Sequence, residues 1–380
     1  MKMKTMRNLF AVVLLGGIFM FQACTEGGLN NLGEDNGILP KRFKIDIPNS
    51  ISNDQSAGLK SAKSSEADTM QGNEIYAHLN NFIAIGEGAA DIVQEIIFAI
   101  ALYDINETMS LSFNGDDDNR VKNLVVVEGA EYGNNSYEFK LTVTDAESEE
   151  EPDGGMAMQI FWNRNPIEGV AILKPYNIDR AHNLEALDAV FRIEYSEVGT
   201  SDYDTYMIVE IADMPMPDPR IDAFALNSLK MYVGKKGNQI DVFGNSDHPN
   251  AKFFTERTGF SWSFVASGLN DEDIAVAEVG LPPSGLDEDS REVLLKEYSI
   301  KNVLTEEINA WFIDAFGFRP DSSDLAGYLR NADAPGYFSE HGFVQGGTSP
   351  GSEYDVLADQ IEELTPFNPK EVNELIIDFQ

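Results

Sequence analysis

The sequence is short of cysteine and of cations, and each shortage excludes a class of protein. Its single cysteine, Cys24, excludes an internal disulfide framework and any multi-cysteine metal site. The chain has 27 Lys and Arg against 64 Asp and Glu, which gives a formal net charge of −37. An acidic surface disfavours nucleic acid, because binding to phosphates requires cationic side chains. The same charge disfavours adsorption to anionic lipid headgroups.

Motifs for catalysis and metal binding are also scarce, so we expect no cofactor. The four histidines have no ligand spacing such as H-E-x-x-H, and each is expected to be a surface or core residue. Gly347–Gly351 reads G-x-S-x-G, but the residue after Ser349 is Pro350, which has no N–H for an oxyanion hole. We therefore interpret it as a loop of turn-forming residues. The histidines are His78, His182, His248 and His341.

Two acidic segments raise the question of calcium. Asn114–Asn119 fails as an EF-hand loop, since Val121 and Val127 occupy the positions that need glycine and glutamate. The stretch Asp145–Asp153 is rich in Asp and Glu. We interpret both as solvated loops, because Asp, Asn and Gly are common in turns and runs of like charge are usually hydrated. A calcium site that borrows carboxylates from elsewhere in the chain stays open.

The N-terminus has the pattern of a secretory signal. Lys2, Lys4 and Arg7 precede an apolar run, Leu9–Phe21, of 13 residues. That run is shorter than the ~20 residues that span a bilayer comfortably. Ala23 then stands directly before Cys24.

This arrangement resembles the lipobox of bacterial lipoproteins, from which it departs at Phe21 and Gln22. The resemblance implies that residues 1–23 are a signal peptide and that Cys24 is lipidated after cleavage. Thr25 stands where aspartate would signal retention in the inner membrane. It therefore favours the outer membrane, with a periplasmic and a surface-facing position both open. We recognise no family for the remainder of the chain.

The 380 residues, 43% of them hydrophobic, are enough for a large core and about two domains at ~150 residues each. Residues 24–72 are polar and small, and we expect a flexible tether. Within it, apolar and polar residues alternate along Phe43–Ile47, which is a candidate to pair with a sheet edge.

Glu74–Tyr103 has the apolar spacing of a helix. The predicted face comprises Ile75, Leu79, Phe82, Gly86, Ala89, Val93, Ile96 and Ile100, widened by Ile83, Ala90, Ile97 and Ala101.

From Thr108 to Val279, apolar residues recur at every second position, which is typical of strands. A hairpin is expected where Gly234–Gly237 separates two such runs. We predict an α+β fold in which a long central helix packs on an antiparallel meander of about eleven strands, a curved sheet or partial barrel. This domain covers 73–282. A mainly helical region follows over 283–380, with a long loop at 335–352 and a terminal apolar run, Leu375–Ile377, that is either helix or strand.

Inward-facing aromatic and methionine side chains have two interpretations. In the first, they line a cavity for an apolar ligand. This layout resembles that of periplasmic lipoprotein carriers and some lipid-binding barrels, with which the chain shares no motif. Alternatively they are an ordinary core between sheet and helix, which apolar stripes usually form. The set is Met156, Met158, Trp162, Phe191, Tyr195, Phe260, Trp262 and Phe264, together with Tyr206.

Two functions follow from this pattern. The first is a lipid-anchored, non-catalytic binding or envelope-interaction protein whose ligand is apolar or a glycan. The alternative is a hydrolase of envelope polymers or glycans that uses paired carboxylates, whose separation of ~5–9.5 Å cannot be read from sequence. The lack of a recognisable nucleophile, metal motif or phosphate loop favours the first function, with the membrane as partner and no nucleic acid.

Overall fold

The computed structural model describes residues 38–52, 72–101, 107–115 and 118–380. The predicted signal peptide, Cys24 and most of the predicted tether lie outside these residues.

Thirteen strands form one antiparallel sheet, and each strand pairs with the next along the chain. The strands are β1 Met109–Asn114, β2 Val121–Tyr132, β3 Asn135–Asp145, β4 Met156–Arg164, β5 Ile167–Leu173, β6 Val190–Ser196, β7 Thr205–Ala212, β8 Ser228–Lys236, β9 Gln239–Lys252, β10 Thr258–Leu269, β11 Ile274–Gly280, β12 Gly336–Ser339 and β13 Gly342–Gly346. Alternating apolar and polar residues let each strand bury one face, and short turns join antiparallel neighbours such as β2 and β3 or β8 and β9. By contrast, the helix-containing segment 281–335 separates β11 from β12.

The sheet confirms the α+β class and the antiparallel meander, with thirteen strands where about eleven were expected. The segment predicted as a loop, 335–352, contains β12 and β13, and β12 pairs with β11. The sheet therefore crosses the boundary predicted at 282/283. It is open, since β1 and β13 do not pair with each other in the described residues.

A long helix, Gly72–Ala101, lies against one face of the sheet, here called the inner face. The helix approaches the sheet closely at Gly86, where an added Cβ would lie 2.5 Å from the methyl carbon of Met231 in β8. The buried face of the helix differs from the predicted apolar face at Ile96 and Ala101, which are half-buried. By contrast, Ile97 is fully buried.

The segment 38–52 is packed into the core, so the predicted tether is wrong for these residues. Phe43 and Ile51 are fully buried. The predicted pairing with a sheet edge is also wrong, because backbone N–H groups of the segment donate to side chains of the long helix. The Phe43 N–H donates to Gln94 Oε1 at 2.5 Å, and the Ile47 N–H donates to Glu87 Oε1 at 2.9 Å. Apolar side chains at alternate positions thus bury a strand-like segment without adding a strand.

The C-terminal region is less helical than expected and covers parts of both faces of the sheet. The helix Ile300–Phe316 packs into the core that contains the long helix, whereas the helix Asp355–Ile361 packs on the outer face. The first of these helices ends at Gly317, which adopts the left-handed conformation with φ 77°. The tail from Leu375 onwards is neither helix nor strand, although Ile377 and Phe379 pack on the sheet. The remaining helices are Asn49–Ser52, Pro175–Ile178, Ser322–Tyr328, Asp355–Ile361 and Pro369–Asn373, with a π-helical turn at Glu292–Glu297 and 3₁₀ turns at Ala146–Ser148 and Ser352–Tyr354.

None of the helices in the described residues combines the length and the apolar character that crossing a bilayer requires.

Candidate functional site: a basic pocket

The residues predicted to line an apolar cavity lie in the core. Seven of the eight are buried, and Met156 is half-buried. The Trp162 ring stacks on Phe139 at 5.4 Å between centroids, and its Nε1 donates to the Ile38 carbonyl at 2.7 Å. Tyr206 was assigned to the wrong face, since it stacks on Tyr232 of the outer face. The arrangement is the ordinary core of the second interpretation, and Tyr195 alone of the eight also borders the pocket described below.

The two acidic segments considered for calcium meet in one ion-pair network. Lys122 Nζ contacts Asp118 Oδ2 and Asp145 Oδ2, each at 2.9 Å. Asp145 also accepts two hydrogen bonds from Arg120, at 2.6 and 2.9 Å. Asp145 is fully buried, so the prediction of a solvated loop is wrong at this residue. Asp116 and Asp117 lie outside the described residues.

The cations of the chain control the protonation of this network. Burial alone would raise the pKa of Asp145, but the hydrogen bonds from Arg120 and Lys122 outweigh it and hold the pKa well below its usual range. The Asp145 and Asp118 carboxylates are therefore occupied by the protein's own cations. Among the described residues, no group of three or more His, Cys, Asp or Glu side chains is placed to hold a metal.

A pocket of about 140 Å³ lies where the segment 42–46 passes the ends of strands β6 to β9. Its cationic lining comes from Arg42, Lys44 and Lys235. Its acidic lining comes from Asp46 and Asp204. Three cations around one small pocket are notable in a chain of net charge −37.

Both acids of the pocket already have donors within the chain. Asp46 Oδ1 is 2.9 Å from Lys44 Nζ, and Asp204 Oδ2 accepts a hydrogen bond of 3.1 Å from the Gly237 N–H. Lys44 also pairs with Asp91 of the long helix. Burial would lower the pKa of Lys44, but the hydrogen bonds to Asp91 and Asp46 dominate and raise it. Lys44 is therefore a charged, fixed part of the wall.

Arg42 and Lys235 differ from Lys44 because neither forms an ion pair with a carboxylate in the described part of the chain. Their sequence neighbours Lys41 and Lys236 are exposed and have no ion pair there either. Most other described lysines and arginines do have a carboxylate partner. We call Lys41, Arg42, Lys235 and Lys236 the basic rim. Cations without a carboxylate partner beside a pocket give it a positive potential, which attracts anions.

A buried serine–histidine pair in β9 tests the hydrolase alternative. Ser246 Oγ is 2.7 Å from His248 Nε2, and His248 Nδ1 is 2.9 Å from the Phe224 carbonyl oxygen. Both residues are fully buried, and the His248 ring lies 4.3 Å from that of Phe82. Burial lowers the pKa of His248 to about 3. The neutral imidazole therefore serves as a packed core residue without access for a substrate.

The carboxyl-terminal motif Gly347–Gly351 is an exposed loop, as interpreted from its sequence. It follows β13 directly, so a strand precedes it after all. Ser349 Oγ donates to the Gly351 carbonyl at 2.7 Å, and Pro350 still denies the site an oxyanion donor.

Sequence reasoning missed the basic rim. Lys235 and Lys236 were read only as a hairpin turn, and Lys41 and Arg42 only as part of a tether. The four residues form two dibasic pairs in an acidic chain, which is a signal that a charge-patterning search would detect. Their proximity depends on how the segment 38–52 crosses the strand ends.

No family model, no curated protein and no solved structure matches this chain.

Proposed function

We propose that this chain is a lipid-anchored, extracytoplasmic binding protein that holds an anionic group of a larger ligand, such as an acidic glycan, in the basic pocket without catalysis. One observation carries the proposal: Arg42 and Lys235 line the same pocket, and neither has a carboxylate partner in the described residues. Arg42 also contacts the Tyr195 hydroxyl, but a guanidinium has five N–H donors, so both cations keep donors for charge-assisted hydrogen bonds with a ligand.

The size of the pocket limits what it accepts. Its volume of about 140 Å³ corresponds to roughly five waters at about 30 Å³ each. Pockets for whole drug-sized ligands measure about 300–1,000 Å³. A carboxylate or phosphate group therefore fits, with the remainder of the ligand outside. The core is filled by the apolar side chains predicted to line a cavity, so a glycan is favoured over the acyl chain of an apolar ligand.

The predicted anchor supports a role at the membrane surface. Lipidation at Cys24 would attach the chain 18 residues before Arg42. At ~3.3–3.6 Å per residue, this distance along the chain corresponds to a reach of at most about 65 Å. We therefore expect the pocket to sample envelope polymers close to the outer membrane, on whichever side the protein faces.

Titration calorimetry with an oligogalacturonate, a carboxylate-bearing glycan, tests the pocket. We expect the double variant Arg42→Gln, Lys235→Gln to weaken binding at least tenfold, because it removes two charge-assisted contacts. The matched control is Arg319→Gln, Arg330→Gln, which removes two exposed cations that have no carboxylate partner in the described part of the chain, and it should change binding less than threefold. Equal affinities for the two double variants, or no binding by the unmodified protein, would contradict the proposal.

The same oligogalacturonate tests the hydrolase alternative. The unmodified protein would have a catalytic role if it released reducing ends from the oligosaccharide and if Asp46→Asn and Asp204→Asn each abolished that release. The anchor is tested separately by Cys24→Ser, which should move the protein from the membrane to the soluble fraction. Unchanged membrane retention together with an intact signal segment would contradict the anchor.

A further inference from the structure

A second polar cluster lies in β9, on the outer face and away from the basic pocket. Asp247 is paired with Ser228 of β8 on one side and Ser261 of β10 on the other. Directly opposed residues of antiparallel strands place their side chains on the same face. The adjacent His248 packs on Phe82 of the long helix, so Asp247 faces the opposite way.

The segment after β11 covers this cluster. The Ser261 N–H donates to the Pro282 carbonyl at 2.8 Å, and the Ser284 N–H donates to the Gly259 carbonyl at 3.2 Å. This short pairing brings Ser284 alongside β10 and next to Asp247. Asp247 is fully buried beneath it.

The cluster has oxygens without donors. Both carboxylate oxygens of Asp247 and the hydroxyl oxygens of Ser261 and Ser284 are buried without a hydrogen-bond partner in the described residues. The amide oxygen of Asn245, two residues before Asp247 on the same face, is in the same condition. Burial raises the pKa of Asp247, opposed by the Ser284 hydroxyl and the His248 N–H.

Asp241 in the same strand shows how the chain satisfies a buried aspartate. It accepts hydrogen bonds from Tyr203 at 3.0 Å, Ser267 at 2.6 Å, and two glutamine side chains at 2.9 and 2.8 Å. Asp247 faces only the Ser284 hydroxyl and the His248 N–H, and neither reaches its carboxylate with hydrogen-bond geometry. A buried carboxylate with so few donors is strongly unfavourable. Its neighbours instead present further oxygens, which is the ligand type that hard cations prefer.

We propose that Asp247, Ser261 and Ser284 form a binding site for a monovalent hard cation, sodium. The charge argument selects the valence: one carboxylate neutralises one positive charge, whereas a divalent ion would leave a net charge beside the fully buried Asp247. Bound sodium joins the segment 282–284 to β9 and β10, and so fixes the start of the C-terminal region on the outer face.

The test compares thermal unfolding of the full chain in NaCl and in choline chloride at equal ionic strength and pH 8. We expect a higher midpoint in NaCl. Above the dissociation constant, each tenfold rise in sodium should raise the folding equilibrium constant by up to tenfold. Asp247→Asn should abolish this difference, and Ser261→Ala should reduce it. Asp241→Asn, a buried aspartate in the same strand, is the matched control and should retain it.

Three results would overturn the sodium site. Equal midpoints in the two salts for the unmodified protein would do so without any variant. A midpoint that falls as the pH rises above about 3.9, equally in both salts, would show instead that Asp247 is held protonated. A response to millimolar calcium but not to sodium would show that the site is divalent.

Discussion

Asp145 and Lys122 are both fully or almost fully buried, and they stabilise the fold only as a pair. Lys122 Nζ also donates to the Asn177 carbonyl at 2.9 Å, so the network joins β2 and β3 to the turn after β5. A buried ion pair contributes little beyond an apolar substitute, but removal of one partner leaves a charge without compensation. The network therefore makes this corner of the molecule sensitive to single substitutions.

We expect Asp145→Asn to lower the free energy of unfolding by about 3–5 kcal/mol, because Lys122 and Arg120 would lose their common acceptor. Denaturant unfolding of the purified variant measures this. Glu150→Gln, which removes an exposed acid of the same segment, is the control and should stay within about 0.5 kcal/mol of the unmodified protein. Equal effects would show that the network has no energetic role.

Acidic pH should destabilise the protein partly through protonation of Asp145. The pKa of Asp145 is lowered in the folded state, so its contribution is present above the unfolded value of ~3.9 and is lost as the pH falls below it. The stability of the unmodified protein should therefore fall more steeply below about pH 4 than that of Asp145→Asn. Parallel pH profiles for the two proteins would refute this, and Glu150→Gln should follow the unmodified profile.

The long helix, Gly72–Ala101, is the element on which the inner face depends. It contacts the neighbouring strands β6, β7 and β8 and also β13 at the edge of the sheet. Because sheet and helix each have one extended apolar surface, burying both together removes more area from water than either does alone. Helix side chains that point at the sheet should therefore be among the most costly to truncate.

Ile97→Ala should lower the free energy of unfolding by ~2–5 kcal/mol through lost burial and a residual cavity. Ile376→Ala is the matched control, since Ile376 is 79% exposed, and it should cost no more than about 0.5 kcal/mol. Denaturant melts of both variants give the comparison. A mild Ile97→Ala would mean that the helix is peripheral to the core.

On the scale of the whole molecule, the two ends of the described chain cover opposite faces of the sheet. The segment 38–52 lies with the long helix on the inner face, where the Phe43 ring is 5.8 Å from that of Tyr195. The tail lies on the outer face, where the Gln380 N–H donates to Gln159 Oε1 of β4 at 2.8 Å. Both faces of the central strands are consequently buried, as their burial patterns show.

Phe43→Ala should cost about 3–5 kcal/mol, the range for a buried phenylalanine, because it empties a site between β5, β6 and the helix. Phe318→Ala removes the same side chain at a position that is 57% exposed and should have a far smaller effect. Thermal unfolding of Phe43→Ala and Phe318→Ala measures the difference between their midpoints. Similar midpoints would mean that the segment 38–52 is attached to the core without stabilising it, as a tether would be.

The sequence by itself determined the α+β class and the antiparallel meander, but not β12 and β13, which lie in the segment predicted as a loop. Apolar periods of 3.6 and 2 act locally, and they placed the long helix and the hairpin at Gly234–Gly237 correctly. Periodicity does not report which polar residues become neighbours, because that depends on chain segments far apart in sequence. Only the tertiary structure buried Asp145, inserted the segment 38–52 into the core, and brought Arg42 next to Lys235, since burial and charge pairing are properties of packed surfaces.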